Sequence, residues 1–411
     1  MGSVAAAIAW LVLRAAPPPV GRALFGLWRV SDVALAAALF VVALLACCGS
    51  RRATLRLATA AASATLVWLA LEAVCLTCVG DAVPKILGKE RLPSCDLQGE
   101  TVPDTASRFG LPCRSIRFHY TTNARGYRNV PDREAADVYC VGDSFLVSAL
   151  LAWPETPVQQ LEHLCGRRCV GVALIGLSPQ EEQAEFAHAA AGLDLHGCVV
   201  LQFLCEDNDL VDSARFTAAA ATPVRSLYER SLLCRLVNAL QRLTQPVVAE
   251  ASRRTAFFGD TPVLFLWQHQ HGDPCEQQWP NIERSLDVFR ASVEARGGAF
   301  GVVLIPQKLR VMGPYCTFPR DSDLLPLEEH LTPMPERLAE WSRRTGAAVL
   351  DLTAALQAAA RVGQLVWLPD DTHWSAVGAA TAAAAVASWR WFCSTPRGQQ
   401  DEAQRGSADG R

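Results

Sequence analysis

Three short blocks hold the side chains able to do covalent chemistry. They are Ser144 in VGDSFLVS, Asn208 and Asp209 in FLCEDNDLVD, and His373 in LPDDTHWSAVG. His373 follows Asp371 by two residues and Asp370 by three. A carboxylate so close to an imidazole can fix its tautomer and stabilise its protonated form, leaving the ring able to accept a proton from a serine hydroxyl. The chemistry that unites the set is acyl transfer through an acyl-serine. Gly-Asp-Ser alone is weak, because Asp and Ser are ordinary helix N-caps. Its placement adds weight: Ser144 and Asn208 each follow directly on an apolar run, where open α/β sheets carry their sites.

The elements that must position these residues alternate along the chain. Apolar runs at 137–141, 169–175, 197–204, 301–305 and 347–352 are separated by helix-like stretches at 157–164, 179–192, 281–295 and 335–345. Continuous apolar strands between helices predict a parallel sheet covered on both faces. An Ala-rich helix over 377–389 follows His373, and a further helix, 226–243, with an apolar stripe falls inside a long insertion at about 213–300.

In their order these blocks resemble the SGNH hydrolases, or GDSL-like esterases, over roughly residues 117–390. Upstream, TTNARGYRN is similar to the Asn-x-x-Gly-x-Arg lead-in of bacterial membrane-anchored members, and LIPQKLRV and DDTHWSAVG resemble the branch that includes the alginate O-acetylation proteins. The resemblance implies a three-layer α/β/α, flavodoxin-like domain over 136–393 with a parallel five-stranded sheet. It implies Ser144 as nucleophile, His373 as general base and Asp370 as the carboxylate that orients it, with Asp371 the alternative that the alginate branch suggests. The oxyanion would be held by the Ser144 N–H, the Asn208 amide and the N–H of Ala173, which stands where the family has glycine; Gly176 is the alternative donor. No cofactor and no metal is implied. The implied activity is hydrolysis of acyl, above all O-acetyl, esters of a carbohydrate or cell-envelope substrate. The alternatives are transfer to a polysaccharide hydroxyl by the same triad, or an inactive scaffold that binds glycan.

The chain has 411 residues, with 38 Lys plus Arg against 41 Asp plus Glu and half its residues apolar. The first 79 residues carry a net +4, leaving −7 for the rest, which argues against a nucleic-acid partner. Apolar stretches within 31–50 and 57–80 approach the length of a bilayer span. Residues 1–80 are therefore expected to be a membrane anchor of two helices, or three if residues 4–13 contribute. Arg51, Arg52 and Arg56 between them favour a cytoplasmic loop, which would set the large domain on the extracytoplasmic side of a bacterial cytoplasmic membrane. Residues 81–135 read as a linker and lead-in, and 394–411 as a disordered tail. His269 and His271, with Asp273 and Cys275, and separately Cys165 with Cys169, lack the further ligands of a zinc site. Trp374 is expected to be packing rather than a sugar platform.

Overall fold

The computed structural model describes residues 91–101, 115–129, 135–221, 253–265 and 277–395, with short pieces at 23–24 and 28–29 and single residues 59 and 63. The expected spans at 31–50 and 57–80, the 226–243 helix, the His269–His271 cluster and nearly all of the tail lie outside these residues. Among the described residues no helix is long and apolar enough to cross a membrane. The chain divides into two compact units, 1–84 with 217–245, and 85–216 with 246–411. Within the first, Ala23–Leu24 pairs antiparallel with Trp28–Arg29.

The second unit opens with a hairpin of β1 (Asp96–Thr101) and β2 (Ile116–Thr121). Five parallel strands follow at β3 (Val138–Gly142), β4 (Cys169–Ala173), β5 (Val199–Cys205), β8 (Ala299–Ile305) and β9 (Ala348–Asp351), and a second hairpin, β6 (Thr255–Phe258) with β7 (Thr261–Leu264), lies between β5 and β8 in sequence. The sheet order is β9-β8-β5-β3-β4. Numbered by their own succession the strands run 2-1-3-4-5, the flavodoxin-like order, in which the chain reverses its winding between β3 and β5. Ser144 and Asn208 stand at the carboxyl ends of the strands there, where such sheets place their sites.

The helices are α1 (Ser144–Val147), α2 (Pro157–Cys165), α3 (Pro179–Ala189), α4 (Asp209–Ala221), α5 (Trp279–Glu294), α6 (Lys308–Met312), α7 (Met334–Thr345), α8 (Thr353–Arg361), α9 (Ala376–Ser388) and α10 (Arg390–Ser394). Local chemistry sets their starts. Thr156 caps α2 and Ser178 with Glu181 forms a capping box on α3, each with proline at the first turn. Successive strand residues feed opposite cores, as the two-residue period requires. Val138, Cys140, Leu201 and Phe203 pack with α8 and α9, whereas Tyr139, Val141, Val200 and Leu204 pack with α3, α5 and α7. The molecule is thus an α/β domain on a five-stranded parallel sheet.

Two segments differ from expectation. The supposed linker 81–135 contains β1–β2 and a lead-in loop tied to the domain. Asn129 donates to the Gly171 carbonyl and accepts from the Gly171 N–H, both at 2.8 Å. The supposed insertion extends too far, because α5 is a sheet-covering helix with Ile282, Leu286 and Phe289 in the core. Cys165 and Cys169 are free thiols, and both sulfurs face the Arg167 carbonyl.

Candidate active site

Ser144 begins α1 directly after β3. Asp143 caps the turn, its Oδ1 accepting the Phe145 N–H at 3.0 Å. The turn ends at Ser148, whose left-handed backbone (φ 46°) redirects the chain. A buried guanidinium secures that end: Arg128, from the lead-in motif, donates to the carbonyls of Val147 at 2.9 Å and Leu151 at 2.6 Å, and also to that of Ser148. Burial pushes its pKa down to about 10, so it stays charged at neutral pH.

His373 meets this turn from the opposite end of the sequence. Its Nε2 lies 2.9 Å from the Ser144 Oγ and its Nδ1 lies 2.5 Å from the Asp371 Oδ1. The same carboxylate oxygen accepts the His373 backbone N–H at 2.9 Å. With the Nδ1 proton on Asp371, Nε2 faces the hydroxyl as an acceptor, the tautomer that deprotonates serine. Burial acts against the ionised form of either partner, yet their mutual attraction outweighs it. Asp371 is drawn down to about 2, and the imidazole is raised above its ordinary value.

The carboxylate on the ring is that of Asp371, which corrects the preference for Asp370. The reason is local: an Asp side chain readily bends onto the N–H two residues ahead, and this turn delivers the same oxygen to Nδ1. Trp374 is buried, edge-on to Phe145 and Trp367, so its place is in the core.

The loop bearing Asp371 and His373 closes through Leu368 N–H to the His373 carbonyl at 3.0 Å and Ser375 N–H to the Val366 carbonyl at 3.1 Å. Inside it lies a residue with no role in the sequence reading. Lys308, only 3% exposed, donates from Nζ to the carbonyls of Leu368 (2.7 Å), Asp371 (2.9 Å) and Pro369 (3.3 Å). Gly378, at the start of α9, lets the helix approach the loop, since a Cβ there would fall 1.9 Å from the Val366 carbonyl oxygen. In the sequence Lys308 shows only as a lysine three residues past the apolar run that ends at Ile305.

The residues named for the oxyanion are less uniformly arranged. Ala173 ends β4 and pairs with Gly142 in register, at the same sheet edge as Ser144. The left-handed position is Gly176 (φ 72°), in the turn beyond, so alanine meets no backbone conflict at 173. Asn208 reaches the Ser144 turn, but its Nδ2 donates to the Asp143 Oδ2 at 2.7 Å and the Asp212 Oδ2 at 3.3 Å. Its amide would have to exchange the longer of these contacts to meet an oxyanion. Among the described residues no group of three or more His, Cys, Asp or Glu could hold a metal ion.

No curated protein matches the chain. Among solved structures it is similar to a proposed SGNH hydrolase of Slackia heliotrinireducens, at 14% identity over 61% of this chain and 96% of that one, with a TM-score of 0.33. It is also similar to the Bacillus subtilis protein YXIM, at 12% identity over 64% of this chain and 57% of that one, with a TM-score of 0.33. Such scores carry no argument about function. The family model described as "SGNH hydrolase-like domain, acetyltransferase AlgX" matches residues 259–402, a stretch that includes Lys308, Asp371 and His373 and stops short of Ser144. Over residues 259–402, the part that supplies the histidine, the chain is thus similar to the SGNH hydrolase-like domain of AlgX.

Proposed function

We propose that this protein is a membrane-anchored serine esterase that removes acyl groups, O-acetyl above all, from a carbohydrate or other cell-envelope ester. The observation that carries the reading is the continuous line from Ser144 Oγ through His373 to Asp371, with contacts of 2.9 and 2.5 Å. His373 takes the serine proton as Oγ attacks the ester carbonyl. It then returns that proton to the departing alcohol, and water completes the cycle by attacking the acyl-serine. The Asn208 amide, the Ser144 N–H and the Ala173 N–H are the proposed oxyanion donors, with Gly176 as the alternative to Ala173.

A second reading is favoured by the description of the matched family: the acyl group passes to a polysaccharide hydroxyl instead of water. The two differ only in the nucleophile that meets the acyl-enzyme. The anchor in residues 1–80 and an extracytoplasmic location in a bacterial cytoplasmic membrane belong to the same proposal, supported by the apolar runs and the arginines between them.

The test is to treat the full chain with a fluorophosphonate and with p-nitrophenyl acetate, beside Ser144→Ala. Labelling and turnover should vanish in the variant; equal values in both proteins would remove Ser144 as nucleophile. Adding an oligosaccharide acceptor and analysing the products then separates transfer from hydrolysis.

A further inference from the structure

The Lys308 side chain is expensive to bury, and its setting accounts for the expense. An ammonium has three N–H donors and no acceptor. Here three carbonyls, those of Leu368, Pro369 and Asp371, face it within 3.3 Å, and the Phe265 ring lies 5.7 Å away. All three carbonyls belong to the turn that presents Asp371 to His373. The titratable groups around it are Asp371 and Asp370 on that turn, Asp207 after β5, the Cys316 thiol, and His373 beyond Asp371. Asp207 also accepts the Lys308 backbone N–H at 3.4 Å, which ties the start of α6 to the end of β5.

We propose that Lys308 is a positioning residue of this site: as an ammonium it gathers three carbonyls of the 368–371 turn and so holds Asp371 against His373 and His373 against Ser144. The inference rests on the serine reading above. Its positive charge also opposes the protonated imidazole, so it moderates the rise that Asp371 causes in His373. Burial lowers its own pKa to about 8. Above that pH a neutral amine keeps two donors for three carbonyls and turns a lone pair toward one of them.

The experiment follows the fluorophosphonate labelling rate of the full chain against pH, for wild type, Ser144→Ala, Lys308→Met and Lys308→Arg, with thermal unfolding of each. Lys308→Met should label about tenfold more slowly at neutral pH, the scale of one lost charge-assisted hydrogen bond. The acid limb of its profile should move to lower pH, because a displaced Asp371 no longer raises the His373 pKa, an effect that outweighs the loss of the Lys308 charge. Lys308→Arg should recover part of the rate and return the limb toward wild type. A folded Lys308→Met with the wild-type rate overturns the proposal, as does a slower rate with an unmoved limb. Should Lys308→Met fail to fold, Lys308→Gln, which keeps two N–H donors without the charge, decides by the same rate and limb, and wild-type values for both overturn the proposal. Wild type labelling no faster than Ser144→Ala removes the serine reading, and this proposal with it.

Discussion

His373 is held between a hydroxyl and a carboxylate, and Asp371 also takes its backbone N–H. The tautomer therefore depends on Asp371 alone. Asp371→Asn should lower kcat/KM on p-nitrophenyl acetate by about 10⁴-fold, the cost of a mis-set tautomer in a triad. Asp370→Asn should stay within a few-fold; the reverse result would restore Asp370 as the orienting acid. The raised pKa of His373 has a direct kinetic sign. The ring must be neutral to take the serine proton, so acylation rises with pH through a midpoint above the ordinary histidine value of about 6.5. A rate titration below that value would show that Asp371 does not act on the ring. At this scale the sequence showed Ser144, His373 and a nearby acid, because their types and order carry the chemistry. It could not choose between adjacent aspartates, since both lie within a turn of the ring. Nor could it foresee that Asp143, 65 residues away, and Asp212, one helical turn on, both take the Asn208 amide.

The two ends of the site ride on separate elements, each tied by a buried cation: Arg128 behind α1, and Lys308 inside the loop before α9. Register between loop and helix depends on the bare backbone of Gly378. Gly378→Ala inserts a Cβ 1.9 Å from the Val366 carbonyl oxygen, so helix or loop must yield. The expected loss is about 2–3 kcal/mol in urea unfolding, the cost of a forced backbone shift, with slower probe labelling. Unchanged values for both would mean that the contact relaxes freely. The sheet strands and the helices that cover them were legible because apolar runs and 3.6-residue periods survive burial on both faces. The β1–β2 hairpin was not: β2 (IRFHYT) alternates apolar and polar residues, but its partner β1 (DLQGET) lies at the surface and carries no such pattern. Helix α6 is five residues long, too short to show a period, which is why the role of Lys308 emerged only from its contacts.

At the scale of the whole molecule, charge and hydropathy divide the chain at about residue 80, and the proposed anchor follows from that division. If it holds, the full chain stays with membranes after alkaline carbonate washing, and protease added to intact spheroplasts digests the large domain. Release by carbonate would remove the anchor, and protection of the domain would reverse its side. The sheet ends at β4, whose residues are all buried, and Asn129 bears on that edge. Its amide exchanges two hydrogen bonds with Gly171, the pattern a further strand would make. One side chain thus takes the place of a neighbouring strand at Gly171, so this edge of the sheet is closed by the lead-in motif itself.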